Sequence, residues 1–424
     1  MTRPVPPTRG PRRTTGDPYR LGLATPFVAP LLAAVGLAVV AALTLSVLGG
    51  HIPFLPTRGA GNGGPGPGVP GATSRPGAPS VAPDRTPSPS APVEVNPQVV
   101  INGQIVYAKA GNLWIHEGTA ARQLTTTGRD SQPAWSPDGQ WIYFIETRET
   151  RGRFTMAEKV RAYALRYPIL SRIRPDGTDR KALLSGLYNA GRGQRWFFFI
   201  RQPAPAPDGR TVAVVSDGPD PTRRDVVLQL YDIKTKRLTK APVTEQAPLG
   251  HQDPSWRPDG AVLMYVRNGR DGGRGTPEIY RYDPKSKRAR AMSGPGYTEP
   301  VYSPDGRYLA ATRTDSLGTD VVVLDARTGG EILRVTSDDR SWGAAWSPDG
   351  RQLAFLHLIG LTVDLQLATL TGSGGSLAVT SVEPLTEFSG LDPTSRPSWW
   401  GPRPSPAASP AAGTGSPVPS PSGS

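Results

Sequence analysis

Short stretches in which apolar and polar residues alternate recur along the middle of the chain. They include the pairs Ile142 and Phe144, Val212 and Val214, Leu263 and Tyr265, Leu309 and Ala311, and Leu353 and Phe355. A period of two places one face of a stretch in a core, which is typical of a half-buried β-strand. Similar stretches predict third strands at 226–232, 278–284, 320–326 and 363–369, and fourth strands at 237–239, 332–336 and 383–388. The pattern therefore predicts a repeat of four strands.

The five alternating pairs named first each follow the same turn signal, which makes the repeat explicit. Five copies of it occur, at Pro133–Gly139, Pro203–Gly209, Pro254–Gly260, Pro300–Gly306 and Ala344–Gly350, with a truncated sixth at Pro397–Trp400. Successive copies start 70, 51, 46, 44 and 53 residues apart, and most of these spacings match the 40 to 50 residues of a propeller blade. In Pro-Asp-Gly the proline presets φ, the aspartate bonds the following backbone and the glycine adopts positive φ.

Two kinds of side chain recur with this turn, and we assign both to structure. The aspartates Asp138, Asp208, Asp259, Asp305 and Asp349 cap the turns, the alternative being a ring of carboxylates or calcium ligands. The aromatic residues Trp135, Trp256, Tyr302, Trp346 and Trp399 are expected in the core between blades, the alternative being an aromatic binding cage.

The two ends of the repeat region complement each other. Residues 103–125 match the second, third and fourth strands of a blade, but no first strand precedes them. Residues 397–400 supply a first strand with nothing after it. The sequence therefore predicts an all-β, six-bladed β-propeller that is closed by pairing of its N- and C-terminal strands, which removes exposed sheet edges.

The repeated Pro-x-Trp-Ser-Pro-Asp-Gly pattern resembles the WD-repeat-like, six-bladed β-propellers of the TolB type, found in bacterial envelope proteins. The resemblance covers about residues 98–400. It implies a module that binds peptides and envelope partners, as the TolB propeller does, while related propellers serve as gating domains of serine peptidases. The chain departs from TolB in showing no N-terminal α/β domain and from the peptidases in showing no C-terminal α/β-hydrolase domain.

The segments that flank the propeller predict a membrane protein. The run from Phe27 to Leu48 is largely apolar and 22 residues long, with no charged residue between Arg20 and His51, which is enough to span a bilayer as one helix. Residues 1–20 carry five arginines against one acidic residue, so we expect a cytoplasmic N-terminus and an extracytoplasmic propeller. A cleaved signal peptide is the alternative, but its apolar stretch is usually shorter.

Composition completes the domain organisation. We predict a basic cytoplasmic N-terminus at 1–20, a transmembrane helix at 21–50, a disordered Pro/Gly/Ser-rich linker at 51–97, the propeller at 98–400 and a disordered Pro/Ser/Ala-rich tail at 401–424. The net charge of +13 resembles that of nucleic-acid-binding proteins, but the extracytoplasmic location argues against nucleic acid as a partner.

Enzymatic chemistry finds few candidates in this sequence. There is no cysteine, and the chain has no Gly-x-Ser-x-Gly motif. The histidines His116, His251 and His357 map to different levels of the blades, so no metal site and no cofactor are expected. The sequence predicts a non-enzymatic module of the cell envelope that binds a protein, peptide or glycan. The alternatives are a propeller hydrolase or lyase of a small substrate, and a sensory ectodomain.

The candidate binding residues lie just before each first strand, where the blades differ. Because these positions enter at the same axial end, we expect them to ring one mouth of the central channel. The residues are Arg129, Asp130, Arg201, Gln202, His251, Asp253, Tyr297, Glu299, Arg340, Trp342 and Arg396. Several arginines and two aromatics suit a peptide, a carboxylate or an anionic glycan, and the alternative is an ordinary solvated rim.

Two inserts interrupt the repeat and explain its longest spacing. Residues 148–168 contain an amphipathic pattern at 156–167 that predicts a helix. Residues 186–202 contain the run Arg195–Ile200, which is either a first strand extended backward or an exposed patch for a partner. The two inserts are expected on neighbouring blades, where they could form one docking surface.

Overall fold

A computed structural model describes residues 91–402 except 157, 190, 192, 222–224, 244–249, 269–276 and 316. The described residues belong to one compact unit, Gly77–Ser424. Regular structure in them is all β, apart from a 3₁₀ turn at Gly374–Ser376. No helix among them has the length and apolarity needed to cross a membrane, and the predicted segments 1–20 and 21–50 lie outside the described residues.

The described part of the chain contains 28 strands. In chain order they are β1 (Glu94–Val95), β2 (Ile101–Lys109), β3 (Asn112–Gly118), β4 (Ala120–Gln123), β5 (Asp130–Trp135), β6 (Ile142–Met156), β7 (Lys159–Ile173), β8 (Lys181–Ser185), β9 (Leu187–Asn189), β10 (Arg195–Phe197), β11 (Arg201–Pro205), β12 (Thr211–Ser216), β13 (Val227–Asp232), β14 (Arg237–Lys240), β15 (His251–Trp256), β16 (Leu263–Arg267), β17 (Glu278–Asp283), β18 (Arg288–Pro295), β19 (Tyr297–Tyr302), β20 (Tyr308–Thr314), β21 (Thr319–Asp325), β22 (Glu331–Arg334), β23 (Ser341–Trp346), β24 (Gln352–Ile359), β25 (Thr362–Thr371), β26 (Ala378–Pro384), β27 (Thr386–Glu387) and β28 (Ser398–Trp400).

These strands form six antiparallel blades, as the repeat predicts. Blade 1 has the order β28-β2-β3-β4, and blade 2 is built on β5-β6-β7-β8 with β10 and β9 added beside β6. Blades 3, 4, 5 and 6 are β11 to β14, β15 to β18, β19 to β22 and β23 to β26. A small extra sheet pairs β1 with β27.

The predicted closure of the ring is confirmed. Strand β28, from the C-terminal end of the repeats, pairs antiparallel with β2 through Gln104 and Trp400, Ile105 and Trp399, and Val106 and Ser398. The first blade is therefore completed by the last strand, so closing the ring depends on contacts between the two ends of the fold.

The core lies between neighbouring blades. Leu113 of blade 1 packs in one apolar cluster with Ile142 and Phe144 of blade 2, and equivalent clusters follow around the ring. Alternation predicts one buried face per strand, yet Tyr143 and Ile145 are buried as well. The second strand of a blade is buried on both faces because each blade is sandwiched between two others.

The predicted helix at 156–167 is wrong. Strands β6 and β7 instead form a hairpin of 15 residues each, in continuous register from Ile142 opposite Ile173 to Met156 opposite Lys159. The amphipathic spacing is overridden because this segment pairs along its whole length with a neighbouring strand.

Two further boundaries differ from the sequence prediction. The last fourth strand, predicted at 383–388, is β26 at Ala378–Pro384, and the following β27 pairs with β1 instead. The run Arg195–Ile200 is not a backward extension of a first strand, because β10 pairs with β9 and β6 whereas β11 begins separately at Arg201. The two inserts therefore share the sheet of blade 2 rather than lying on neighbouring blades.

Candidate functional site

Six equivalent residues surround the central channel, five from the first strands of blades 2 to 6 and one from just before the first strand of blade 1. We call this set the channel ring, and its members are Gln132, Gln202, Asp253, Glu299, Gly343 and Arg396. In five blades a shift in register between the first and second strands marks this position as a β-bulge. The backbone there is left-handed, with φ between 52° and 53° at the four glutamine and acidic residues and 64° at Gly343. A left-handed backbone conformation is energetically costly for residues other than glycine, and such residues cluster at functional sites.

The side chains of the channel ring link one blade to the next. Gln132 Oε1 accepts a hydrogen bond from the Gln202 backbone N–H at 2.8 Å, and Gln202 Oε1 accepts one from the Asp253 N–H at 2.9 Å. Asp253 Oδ2 and Glu299 Oε2 continue the series by accepting from the N–H groups of Glu299, at 3.2 Å, and Gly343, at 2.9 Å. In four blades the bulge thus turns the N–H toward the preceding ring side chain, and a belt of hydrogen bonds runs from Gln132 to Gly343.

Two carboxylates and one guanidinium give the channel ring its charge. Asp253 is 4% exposed and adjoins Glu299 of the next blade. Burial, then repulsion from Glu299, raises the pKa of Asp253 to about 7, although the positive charge of Arg396 opposes the rise. Arg396 reaches from blade 1 to blade 4, where its Nη2 donates to the Pro254 carbonyl at 3.2 Å. Its Nη1 is buried without a hydrogen-bond partner among the described residues.

Above the ring lies a cavity of about 510 Å³ that extends to the Pro-Asp-Gly turns. Its floor includes Gln132, Gln202, Asp253, Glu299 and Arg396. Its wall is apolar and comes from the repeated prolines and aromatic residues of all six blades, namely Pro137, Pro207, Pro258, Pro304, Pro348, Pro402, Trp135, Trp256, Tyr302, Trp346, Trp399 and Trp400. A pocket in which a few polar groups converge beside apolar side chains is a usual form of a binding site.

The aromatic wall is fixed by contacts between blades. Trp256 Nε1 donates to the carbonyl of Ala204 in the preceding blade at 3.0 Å, and Trp346 Nε1 donates likewise to Val301 at 3.1 Å. Trp135 and Trp346 are 6% and 5% exposed and belong to the clusters between blades. The aromatic residues therefore serve the core and also present an edge to the cavity.

The turn aspartates act locally. In each of the five turns the aspartate accepts a hydrogen bond from the backbone N–H two residues later, at 2.8 to 3.1 Å. Asp259 pairs with Arg257, which lowers the pKa of its carboxyl. None of these five aspartates lines the cavity.

The structure brings together four of the eleven residues predicted at the mouth, Gln202, Asp253, Glu299 and Arg396, on the cavity floor. Asp130 is instead buried and paired with Arg180 at 2.7 Å. Arg129 lines a second, smaller cavity, and the Arg201 guanidinium lies 4.4 Å from the centre of the Phe199 ring.

The remaining predicted mouth residues are held by hydrogen bonds outside the cavity or lie at the surface. His251 is buried, and its Nδ1 accepts from the Leu228 N–H at 3.0 Å. The Tyr297 hydroxyl donates to Glu331 at 2.8 Å, and Trp342 Nε1 donates to the Pro393 carbonyl at 3.0 Å. Arg340 is exposed. These residues do not line the cavity.

The histidines are also separate, because His116 lies in β3, His251 in β15 and His357 in β24. Sequence reasoning missed Gln132 and the proline wall as site residues. The available signal was the position directly before the first proline of each repeat, which is Gln, Gln, Asp, Glu and Arg in the five blades that have this proline.

The comparisons with known proteins agree with this architecture. The family model of the TolB β-propeller domain matches residues 198–381. An uncharacterised protein of Agrobacterium fabrum is 28% identical over 157 residues, 36% of this chain and 45% of that protein. Among solved structures, TolB from Acinetobacter baumannii has a TM-score of 0.50 and 19% identity, covering 70% of this chain and 66% of its own.

An oligogalacturonate lyase from Vibrio parahaemolyticus is also similar, with a TM-score of 0.43 and 12% identity over 67% of this chain and 92% of the lyase. At such identities the likeness to solved structures shows the fold alone. The chain spans less than half of the curated relative and just under two thirds of the Acinetobacter protein.

Proposed function

Because the described chain forms a six-bladed β-propeller of the TolB type, we propose that it is a non-enzymatic binding module of the bacterial cell envelope. The ligand is a segment of a partner protein that enters the central cavity. The observation that carries this proposal is the cavity itself, in which a proline and aromatic wall surrounds a charged floor.

The chemistry of the floor favours a segment with a basic group at its leading end. Asp253 and Glu299 offer two carboxylates in adjoining blades, while a single guanidinium, that of Arg396, opposes them. A lysine or arginine side chain would satisfy the pair and lower its mutual repulsion. Apolar residues that follow it would pack on the rigid aromatic wall, which costs little conformational entropy.

The sequence supports an anchor that confines this module to the membrane surface. The apolar run at 27–48 would span the membrane with the basic N-terminus in the cytoplasm, leaving the propeller outside. The linker at 51–97 would then separate the propeller from the bilayer by roughly 40 Å as a flexible coil. An anchored propeller searches for its partner within this distance.

Capture from solubilised native membranes tests the binding proposal. The bait is the full chain, either unchanged or carrying Glu299→Gln, which removes one of the two carboxylate charges from the cavity floor. Glu383→Gln in β26 is the matched control, because Glu383 is exposed and does not line the cavity. We expect a partner protein that the unchanged chain and the control retain and the Glu299 variant loses. Equal capture by all three baits would contradict the proposal.

One observation favours a hydrolase or lyase as a second candidate function. A buried carboxyl with a raised pKa beside another carboxylate, as in Asp253 and Glu299, is a common arrangement of general acids and bases. A panel of small glycosides, esters and uronides incubated with the purified chain tests this candidate. Turnover that disappears in Asp253→Asn would favour an enzymatic function. No turnover by the unchanged chain would favour the binding function instead.

A further inference from the structure

The hairpin of blade 2 extends far beyond the blade that carries it. Strand β5 pairs with β6 only from Trp135 opposite Ile142 to Asp130 opposite Glu146, whereas β6 continues for ten more residues to Met156. On the outer side, β8 pairs with β7 only from Ile169 to Arg172. The part of β7 from Lys159 to Tyr167 is therefore the outer edge of the sheet, and among the described strands only β6 pairs with it.

The register shows which main-chain groups face outward along this edge. Met156 and Lys159 flank a two-residue turn, so their main chains form a hydrogen-bonded pair. Every second pair along the hairpin from there is hydrogen-bonded in the same way. The N–H and C=O groups of Val160, Ala162, Ala164 and Arg166 consequently point away from β6. The Pro168 carbonyl continues this outward series, since it accepts the Gly186 N–H at 2.8 Å.

One face of the extension is packed and holds it in place. The Trp196 ring of β10 lies 5.0 Å from that of Phe154 and 6.0 Å from that of Tyr163. Strand β10 also pairs with β6 at Arg195 and Arg153. The free edge therefore belongs to a sheet that is braced from the opposite side.

The other face is exposed and basic. It carries Arg151, Arg153 and Arg166. The exposed Ala164 lies opposite Arg151, and the exposed Ala162 lies opposite Arg153. Arg166 pairs with Glu149 at 3.3 Å, whereas Arg151 and Arg153 have no ion pair among the described residues. Residues 147–168 contain six basic side chains against two acidic ones. Small side chains at the edge leave room for a neighbouring strand, and the arginines supply charge for it to meet.

From these observations we propose that the outer edge of β7, at Val160–Arg166, is a strand-addition site for an extended acidic segment of a partner protein. The main-chain groups bind an added strand, as in other cases of β-augmentation, and the arginines select acidic side chains. A second copy of this chain is disfavoured, because the same basic residues would then face each other. This site is separate from the central cavity and does not depend on the function proposed for it.

Amide hydrogen exchange on the full chain in detergent tests the proposal without any substitution. The probe is the capped peptide Glu-Val-Glu-Val-Glu-Val-Glu, and its lysine counterpart is the control. We expect the acidic peptide to slow exchange at Val160, Ala162, Ala164 and Arg166 at least about tenfold, since each amide gains a main-chain hydrogen bond. The lysine peptide should leave all four rates unchanged.

Ala164→Pro gives a second test that spares the hairpin. The proline removes an N–H that points outward, at an edge position like that of Pro168 in the same strand, so the bonds between β6 and β7 remain. We expect about fivefold weaker peptide binding, and unchanged binding in Ala164→Ser, which keeps the N–H.

Three results would overturn the assignment. The first is unchanged exchange at the four amides with the acidic peptide. The second is equal slowing by phosphatidylglycerol vesicles without peptide, which would make the basic face a membrane contact. The third is slowing that depends only on protein concentration, which would make the edge a contact between copies.

Discussion

The Pro-Asp-Gly turn and the channel-ring position lie within seven residues of each other in a repeat, but they differ in how much their side chains vary. The Pro-Asp-Gly turns are identical in five blades, and in each the aspartate bonds the same backbone N–H. The channel ring shares its backbone conformation as closely, with φ between 52° and 64° in five blades, yet its side chains are glutamine, carboxylate, glycine and arginine.

Under the proposed function, this difference separates folding from recognition within one repeat. The turn needs one particular side chain because that side chain completes its geometry. The channel ring needs a left-handed backbone to aim whatever side chain is present at the neighbouring blade and the cavity. Under the proposed function, variation at such a position would change the ligand while the backbone conformation stays the same.

Truncation of the cavity wall should give the largest effect on stability. Trp346→Ala removes a side chain that is 5% exposed and leaves the Val301 carbonyl without its donor. We expect the free energy of unfolding to fall by about 3 to 5 kcal/mol, measured by urea denaturation. Leu361→Ala, at a fully exposed residue, is the control and should change it by less than about 0.5 kcal/mol. A small effect of Trp346→Ala would contradict the assignment of the aromatic wall to the core between blades.

The channel ring should make stability depend on pH in an unusual direction. Asp253 has a folded-state pKa of about 7, above its ordinary value of 3.8, so the folded protein binds more protons between these values. Its contribution is therefore fully present at low pH and is lost as pH rises toward 7, by at most about 1.4 kcal/mol per pH unit. Asp253→Asn should abolish this slope in denaturation curves taken from pH 5 to 8. The same slope in the variant would assign it to another group.

A turn aspartate should affect folding alone, and by a smaller amount. Asp305→Ala removes the acceptor for the Arg307 N–H at 3.0 Å and for the Ser303 hydroxyl at 2.6 Å. We expect a loss of about 1 kcal/mol of stability with partner capture unchanged, because Asp305 does not line the cavity. Asp305→Asn keeps an acceptor and should lose less. If Asp305→Ala abolished capture, the separation between turn and ring would fail.

Much of the fold could be predicted from the sequence, because the turn chemistry is local and repeats at blade spacing. The missing first strand before residue 103 and the spare one at 397–400 predicted closure, which β28 and β2 confirm. The hairpin could not be predicted from local pattern. Residues 156–167 have helical spacing, and only the partner strand β6 decides otherwise.

The site could be predicted only in part. The approach to each first strand was identified as the variable region, and four residues from it meet on the cavity floor. Alternation would send neighbouring residues to opposite faces, but a bulge after Ser131, Gln252 and Thr298 changes which side chain faces the channel. The position before the first proline marks the ring in the sequence, but nothing local indicates a left-handed glutamine, aspartate or glutamate there.

Site-specific photo-crosslinking in native membranes tests the central claim most directly. A photoreactive phenylalanine analogue replaces Pro304, on the cavity wall, or Arg340, which is exposed and outside the cavity. The cavity probe should give a crosslink to one protein that disappears when Glu299→Gln is added, and the probe at 340 should not give it. A partner crosslinked from position 340 and not from 304 would contradict recognition in the channel.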